Sequence, residues 1–237
     1  MKYGIMAACL SLGVAGASSA VFTNCSVTPT LISVGGLNLC RAELFANFNG
    51  PTDTILNVFN FQAQGGWSSN PAAASGFWHK DNSDYNGGVL SQQYGTWAPQ
   101  LTGSATLNRP FDSWLTIGGT ATATNTSNAD PSWPAAGGGW NRADLPQVNE
   151  IGWFNSSPPN NQGRVGVGGN SATSVKLGQF ILSANDTTIR TYSLRIAYNN
   201  GAGGGVQFVD STFTLCIPTP GAIALLGLAG LTQRRRR

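Results

Sequence analysis

Between Thr191 and Tyr198 the chain alternates without a break, with Tyr192, Leu194, Ile196 and Tyr198 at even positions and Thr191, Ser193, Arg195 and Ala197 at odd ones. A period of two puts the first set on one face of a strand and the second on the other, so this segment has a core side and a wet side. No interior stretch sustains the 3.6-residue apolar period that would argue for an amphipathic helix. Thirty-one glycines and 12 prolines, with abundant Asn, Ser and Thr, make turns frequent and helices poor. Short runs rich in β-branched and aromatic residues between Gly, Asn and Pro clusters predict strands at 31–34, 54–64, 89–94, 101–108, 112–117, 164–167, 175–182, 188–198 and 205–216. The expected fold class is therefore all-β, a two-sheet antiparallel β-sandwich that is jelly-roll-like rather than a closed barrel. Residues 125–161 crowd out alternation and predict long loops on one edge, with short strands around 148–154 as the alternative. Nothing repeats at a fixed period, which excludes a solenoid or propeller.

Both ends are of a different kind. Lys2 precedes the apolar stretch 5–17, and Ala17-Ser18-Ser19-Ala20 supplies small residues for signal-peptidase cleavage, so 1–20 reads as a signal peptide with an N-terminal signal helix. At the other end, Pro218, Thr219, Pro220 and Gly221 stop any strand arriving from Leu215. A short transmembrane helix is expected over 222–232. At about 1.5 Å per residue its apolar core covers only about half of the bilayer's hydrocarbon thickness. Arg234, Arg235, Arg236 and Arg237 follow; their long stems snorkel to the interface and their charge holds the C-terminus inside.

A Pro-x-Pro break, a short apolar helix and a terminal arginine cluster, in that order on a chain with a leader, resemble the PEP-CTERM sorting signal of bacteria that carry an exosortase. Thr219 stands where the name-giving Glu of the motif is found, which makes this a variant form. The resemblance covers 217–237 and the generic leader. It implies export by the Sec machinery and signal peptidase, transient anchoring in the inner membrane, and removal of the tail by an exosortase-type membrane protease. The mature protein then sits at the cell surface, outer envelope or extracellular matrix. The central segment, 21–216, reads as one extracellular domain, long enough for its own core.

With the ends set aside, the charge changes sign. Lys2 and the four terminal arginines are five of the 13 cations, which leaves eight against ten anions, a net of −2. No interior basic patch neutralises phosphates, so a nucleic-acid partner is excluded. Cysteine use fits an oxidising compartment: Cys9 lies in the leader, and Cys25, Cys40 and Cys216 allow three pairings. Cys25 with Cys40 closes a short loop, whereas Cys216 offers a link between the first and last strands. Three scattered cysteines and the single His79 lack zinc spacing and ligand count, and no cofactor is implied.

For function, the resemblance implies a structural or adhesive role at the cell surface or in the extracellular matrix, and no catalysis is expected of the chain itself. The alternative is a carbohydrate-binding module that docks surface polysaccharide through tryptophans on turn-rich segments, with Trp133, Trp140 and Trp153 as stacking candidates among Trp67, Trp78, Tyr85 and Trp97. A secreted glycoside hydrolase would need Glu43 and Glu150, the only glutamates, as its acid and nucleophile. His79 has no Gly-x-Ser-x-Gly elbow beside it. Residues 81–88 are dense in side-chain oxygen but miss the EF-hand spacing, and Asx-rich turns of this kind form without metal.

Overall fold

The computed structural model describes residues 21–34, 36–64, 77–78, 97, 113–120, 126–133, 143–144, 150–184, 191–201 and 205–216. Within them lie eleven strands: β1 (Phe22–Val34), β2 (Leu37–Phe48), β3 (Thr54–Ala63), β4 (Phe77–Trp78), β5 (Trp114–Leu115), β6 (Ser127–Ala129), β7 (Ala143–Asp144), β8 (Ile151–Asn155), β9 (Ser174–Ser183), β10 (Thr191–Asn199) and β11 (Gln207–Thr214). One sheet has the order β1-β2-β9-β5, a second β11-β10-β3-β8-β6, and β4 pairs with β7. Every pairing is antiparallel. The two larger sheets pack face to face around a shared apolar core, a β-sandwich. The expected signal helix at 1–20, the helix at 222–232 and the strands at 89–94 and 101–108 lie outside the described residues.

In β10 Tyr192, Leu194, Ile196 and Tyr198 are buried and Thr191, Ser193 and Arg195 are partly exposed on the other face, as the side-chain period demands; Ala197, expected on the wet face, is buried. The expected strands near 54–64, 175–182, 188–198 and 205–216 appear as β3, β9, β10 and β11. Of the expected 112–117 strand only Trp114–Leu115 pairs, against β9. The 164–167 expectation is corrected, since this segment makes a single bridge, Thr54 to Arg164, and is otherwise turn. The 125–161 region is not all loop, because β6 and β8 pair within it.

The expected strand at 31–34 is the end of a longer one, β1, whose first nine residues the sequence does not announce, and β2 has no counterpart among the expected strands. β1 runs through Pro29, which offers no N–H to a ladder; it is tolerated because β1 is the edge strand of its sheet. β2 contains Ala, Glu, Arg and Leu, all helix formers, yet Cys40, Ala42, Leu44, Ala46 and Phe48 are buried at strict period two. Tertiary burial between β1 and β9 overrides local propensity there.

Phe61 on β3 is the centre of the core. Around it lie the rings of Phe180 at 5.4 Å, Trp153 at 5.6 Å, Tyr192 at 5.8 Å, Trp133 at 5.9 Å, Phe77 at 6.2 Å and Phe213 at 6.3 Å between centroids. Aromatic rings thus occupy the middle of the space between the sheets, with Leu44, Ile55, Leu177 and Ile196 packed in the same core. Beside this core Gly118 takes φ of +74°, and a Cβ there would meet the Gln162 carbonyl oxygen at 1.9 Å. Only glycine fits that approach.

Asp53, at the turn into β3, is fully buried, and no donor meets either carboxylate oxygen in hydrogen-bonding geometry. Burial pushes its pKa up from 3.8, with the Gly50 backbone acting the other way. A raised folded-state pKa means that the native protein binds this proton more tightly, so stability from Asp53 is fully present in acid and falls as pH rises from about 3.8 through the folded value. Asp53→Asn is therefore expected to raise the Tm at pH 7 and to flatten the dependence of Tm on pH, read by calorimetry from pH 3 to 8. A lower Tm at pH 7 with an unchanged slope would contradict this.

Candidate functional site

The two junctions of the domain are set by β2. Cys216 follows β11 and is disulfide-bonded to Cys40 of β2 across a sequence separation of 176. This ties the sheet that ends with β11 to the sheet that contains β2. Cys25, the unpaired cysteine among the described residues, is buried. The short-loop pairing of Cys25 with Cys40 is ruled out by register: Cys25 sits opposite Ala46 and Cys40 opposite Leu31, so the two lie six positions apart along the ladder. That is roughly 20 Å, far beyond the 7 Å that a disulfide spans between Cα atoms.

The start of the domain is at the other end of β2. The Val21 N–H donates to Asn49 Oδ1 at 2.6 Å, and the Asn49 N–H donates back to the Val21 carbonyl at 3.1 Å. Asn49 and Cys40 are nine residues apart on an extended strand, roughly 30 Å. The chain therefore enters the sandwich at one pole and reaches Cys216 at the opposite pole. The residues of the expected sorting signal, Pro218 to Gly221 and Arg234 to Arg237, lie outside the described residues.

For Trp133 and Trp153 the stacking expectation is corrected. Trp133 and Trp153 are 5% and 1% exposed and belong to the aromatic core, with their indole N–H groups donating to the Gly152 and Thr116 carbonyls at 3.0 and 2.9 Å. Trp97 is buried against Trp133 as well, with centroids 4.5 Å apart. Rings covered on both faces cannot stack on a sugar. Trp140, Trp67 and Tyr85 lie outside the described residues.

Among the described residues the most exposed aromatics are phenylalanines. On the outer face of the five-stranded sheet, register places Phe154, Asn57, Ala197 and Phe208 in one row across β8, β3, β10 and β11. Phe208 is 65% and Phe154 44% exposed. In the next row Phe59 leans edge-on to Phe208, centroids 6.1 Å apart, beside the Arg195–Asp210 ion pair. At about 4.8 Å per strand, Phe154 and Phe208 stand roughly 14 Å apart, with polar Asn57 between them. The signal in the sequence is faint, because Phe208 and Phe154 sit on strands where the inward positions are aromatic too.

The glutamate pair does not form. Glu43 projects from the outer face of β2 and pairs with Lys176, whereas Glu150 precedes β8 in the other sheet. The Lys176 ammonium lies 4.6 Å from the Trp114 ring centroid. Burial holds its pKa below the usual lysine value against the opposing pull of Glu43. This is a structural ion pair on a half-buried face, and among the described residues no second carboxylate joins it for acid–nucleophile work. His79 and the oxygen-rich stretch 81–88 lie outside the described residues, among which no group of three His, Cys, Asp or Glu side chains converges.

No protein-family model, no curated protein and no solved structure matches this chain. Its class rests on its own geometry, a disulfide-linked antiparallel β-sandwich. The disulfide agrees with an oxidising, extracytoplasmic setting.

Proposed function

We propose that the chain is an exported bacterial surface or extracellular-matrix protein with a structural or adhesive role, held at the membrane by a PEP-CTERM-like tail until an exosortase-type protease removes it. The supporting observation is the position of Cys216. It is locked to Cys40 and stands immediately before Ile217 and Pro218, so the folded domain closes where the sorting motif begins. A protease acting at Pro218 to Gly221 would then find its substrate on a short tether beside a domain that stays intact after cleavage. The Val21–Asn49 clasp supports the same reading at the other end, since a new N-terminus at Val21 would present its ammonium to the Asn49 side-chain oxygen. Deleting 218–237 is expected to send the protein into the medium while the full chain is retained by the cell. Equal retention of both would sink the proposal.

A second reading, a carbohydrate-binding module, is favoured by the Phe154–Phe59–Phe208 face rather than by the tryptophans. Such rings offer apolar faces to sugar C–H groups, and Asn57 lies between them to donate and accept hydrogen bonds. Phe154→Ala with Phe208→Ala is expected to lower retention on isolated surface polysaccharide about tenfold, given about 0.5–1.5 kcal/mol for each ring contact. Unchanged retention would remove this reading. No catalytic step is assigned to the chain.

A further inference from the structure

At the pole opposite Cys216, three segments close around a cleft of about 330 Å³: the turn into β3, residues 158–164, and the end of β10. Its walls include Thr52, Leu56, Pro158, Arg164, Asn199 and Gly201. The backbone here is firmly held. Arg164 bridges Thr54, its N–H donates to Asn161 O at 2.9 Å, and its carbonyl accepts from Asn170 Nδ2 at 2.9 Å. Asn199 Oδ1 accepts the Gly201 N–H at 2.8 Å, which turns the amide nitrogen of Asn199 away as a free donor. The Arg164 guanidinium has neither an ion pair nor a hydrogen bond among the described residues, although the carrier domain is acidic overall. Among the described residues no carboxylate lines the cleft; the neighbouring Asp53 has its side chain buried.

We infer that this cleft binds a carboxylate-bearing sugar, a uronate, with Arg164 as the anchor. A guanidinium presents a planar fork of donors that matches the two oxygens of a carboxylate, and an unpaired one in a polar cleft is a vacant half of that pair. Asn199 adds a donor from the facing loop, while Leu56 and Pro158 give an apolar surface for the C–H face of the ring. The volume suits one or two sugar residues. The site is separate from the phenylalanine face and from the tail, so it stands whether or not either proposal above holds.

The test is calorimetric titration of the disulfide-bonded full chain with glucuronate, with trigalacturonate and with glucose. Glucuronate or trigalacturonate is expected to bind at least about tenfold more tightly than glucose, with affinity falling as salt rises. Arg164→Gln is expected to abolish that preference while leaving the Tm unchanged. Binding of trigalacturonate alone would place the ligand within a polymer, and binding of both would admit the free sugar. Equal affinity for glucose, no binding of either uronate at millimolar concentration, or a preference that survives Arg164→Gln would overturn the inference.

Discussion

Reduction of the Cys40–Cys216 disulfide is expected to lower the Tm by roughly 10–20 °C. The link closes a loop with a sequence separation of 176, and in the chain-entropy model a loop of that length is worth about 5 kcal/mol. In a domain of this size each kcal/mol moves the Tm by about 2–4 °C. The geometry adds to the entropy, for the bond joins the two sheets at the pole where Leu182 and Leu215 complete the core. Cys40→Ala with Cys216→Ala should reproduce the effect of reductant and abolish any further response to it. Cys25 does not confuse the experiment: burial raises its thiol pKa to about 12, so it stays protonated and is a poor exchange partner. A fall of less than about 3 °C on reduction would mean that the sandwich holds its sheets together without the link.

The second large effect belongs to Phe61. Phe61→Ala is expected to cost about 3–5 kcal/mol, since it removes a fully buried ring and leaves a cavity that its neighbours fill only in part. Six aromatic rings among the described residues, from both sheets and the intervening segments, surround it, so collapse would require coordinated movement of Trp133, Trp153 and Phe180. Phe61→Leu should cost less than half as much because most of the volume is kept. Chemical denaturation of both variants reads the difference. Equal losses would show that ring volume at this position is not what the core needs.

How much of this was legible in the chain varies by residue. β10 reads directly because its apolar residues fall on one parity and its polar ones on the other. β2 carries the same parity but in Ala, Glu and Leu, whose helix preference hides a strand that only packing between β1 and β9 reveals. The end of β1 reads as a strand at 31–34, but its earlier part is hidden by Pro29, whose tolerance depends on an edge position that is a property of the sheet. Strand order has no local signal at all, so jelly-roll-like wiring was an expectation without a residue behind it. The site was less legible than the fold. Trp133 lies between Ser132 and Pro134 and Trp153 follows Gly152, yet both rings fill the space between the sheets, and among the described residues the exposed aromatic positions are Phe154 and Phe208. Arg164 gave no signal beyond its charge, because its cleft is assembled from three segments, 52–56, 158–164 and 199–201, that are distant in sequence.

The central claim concerns the tail, and the most direct measurement is the intact mass of the protein recovered from its own cell surface, with and without the host's exosortase. The account predicts a disulfide-bonded species that begins at or near Val21 and lacks Arg234 to Arg237 only when the protease is present. A tail that persists in both strains would contradict it and leave a protein tethered to the membrane by its last helix.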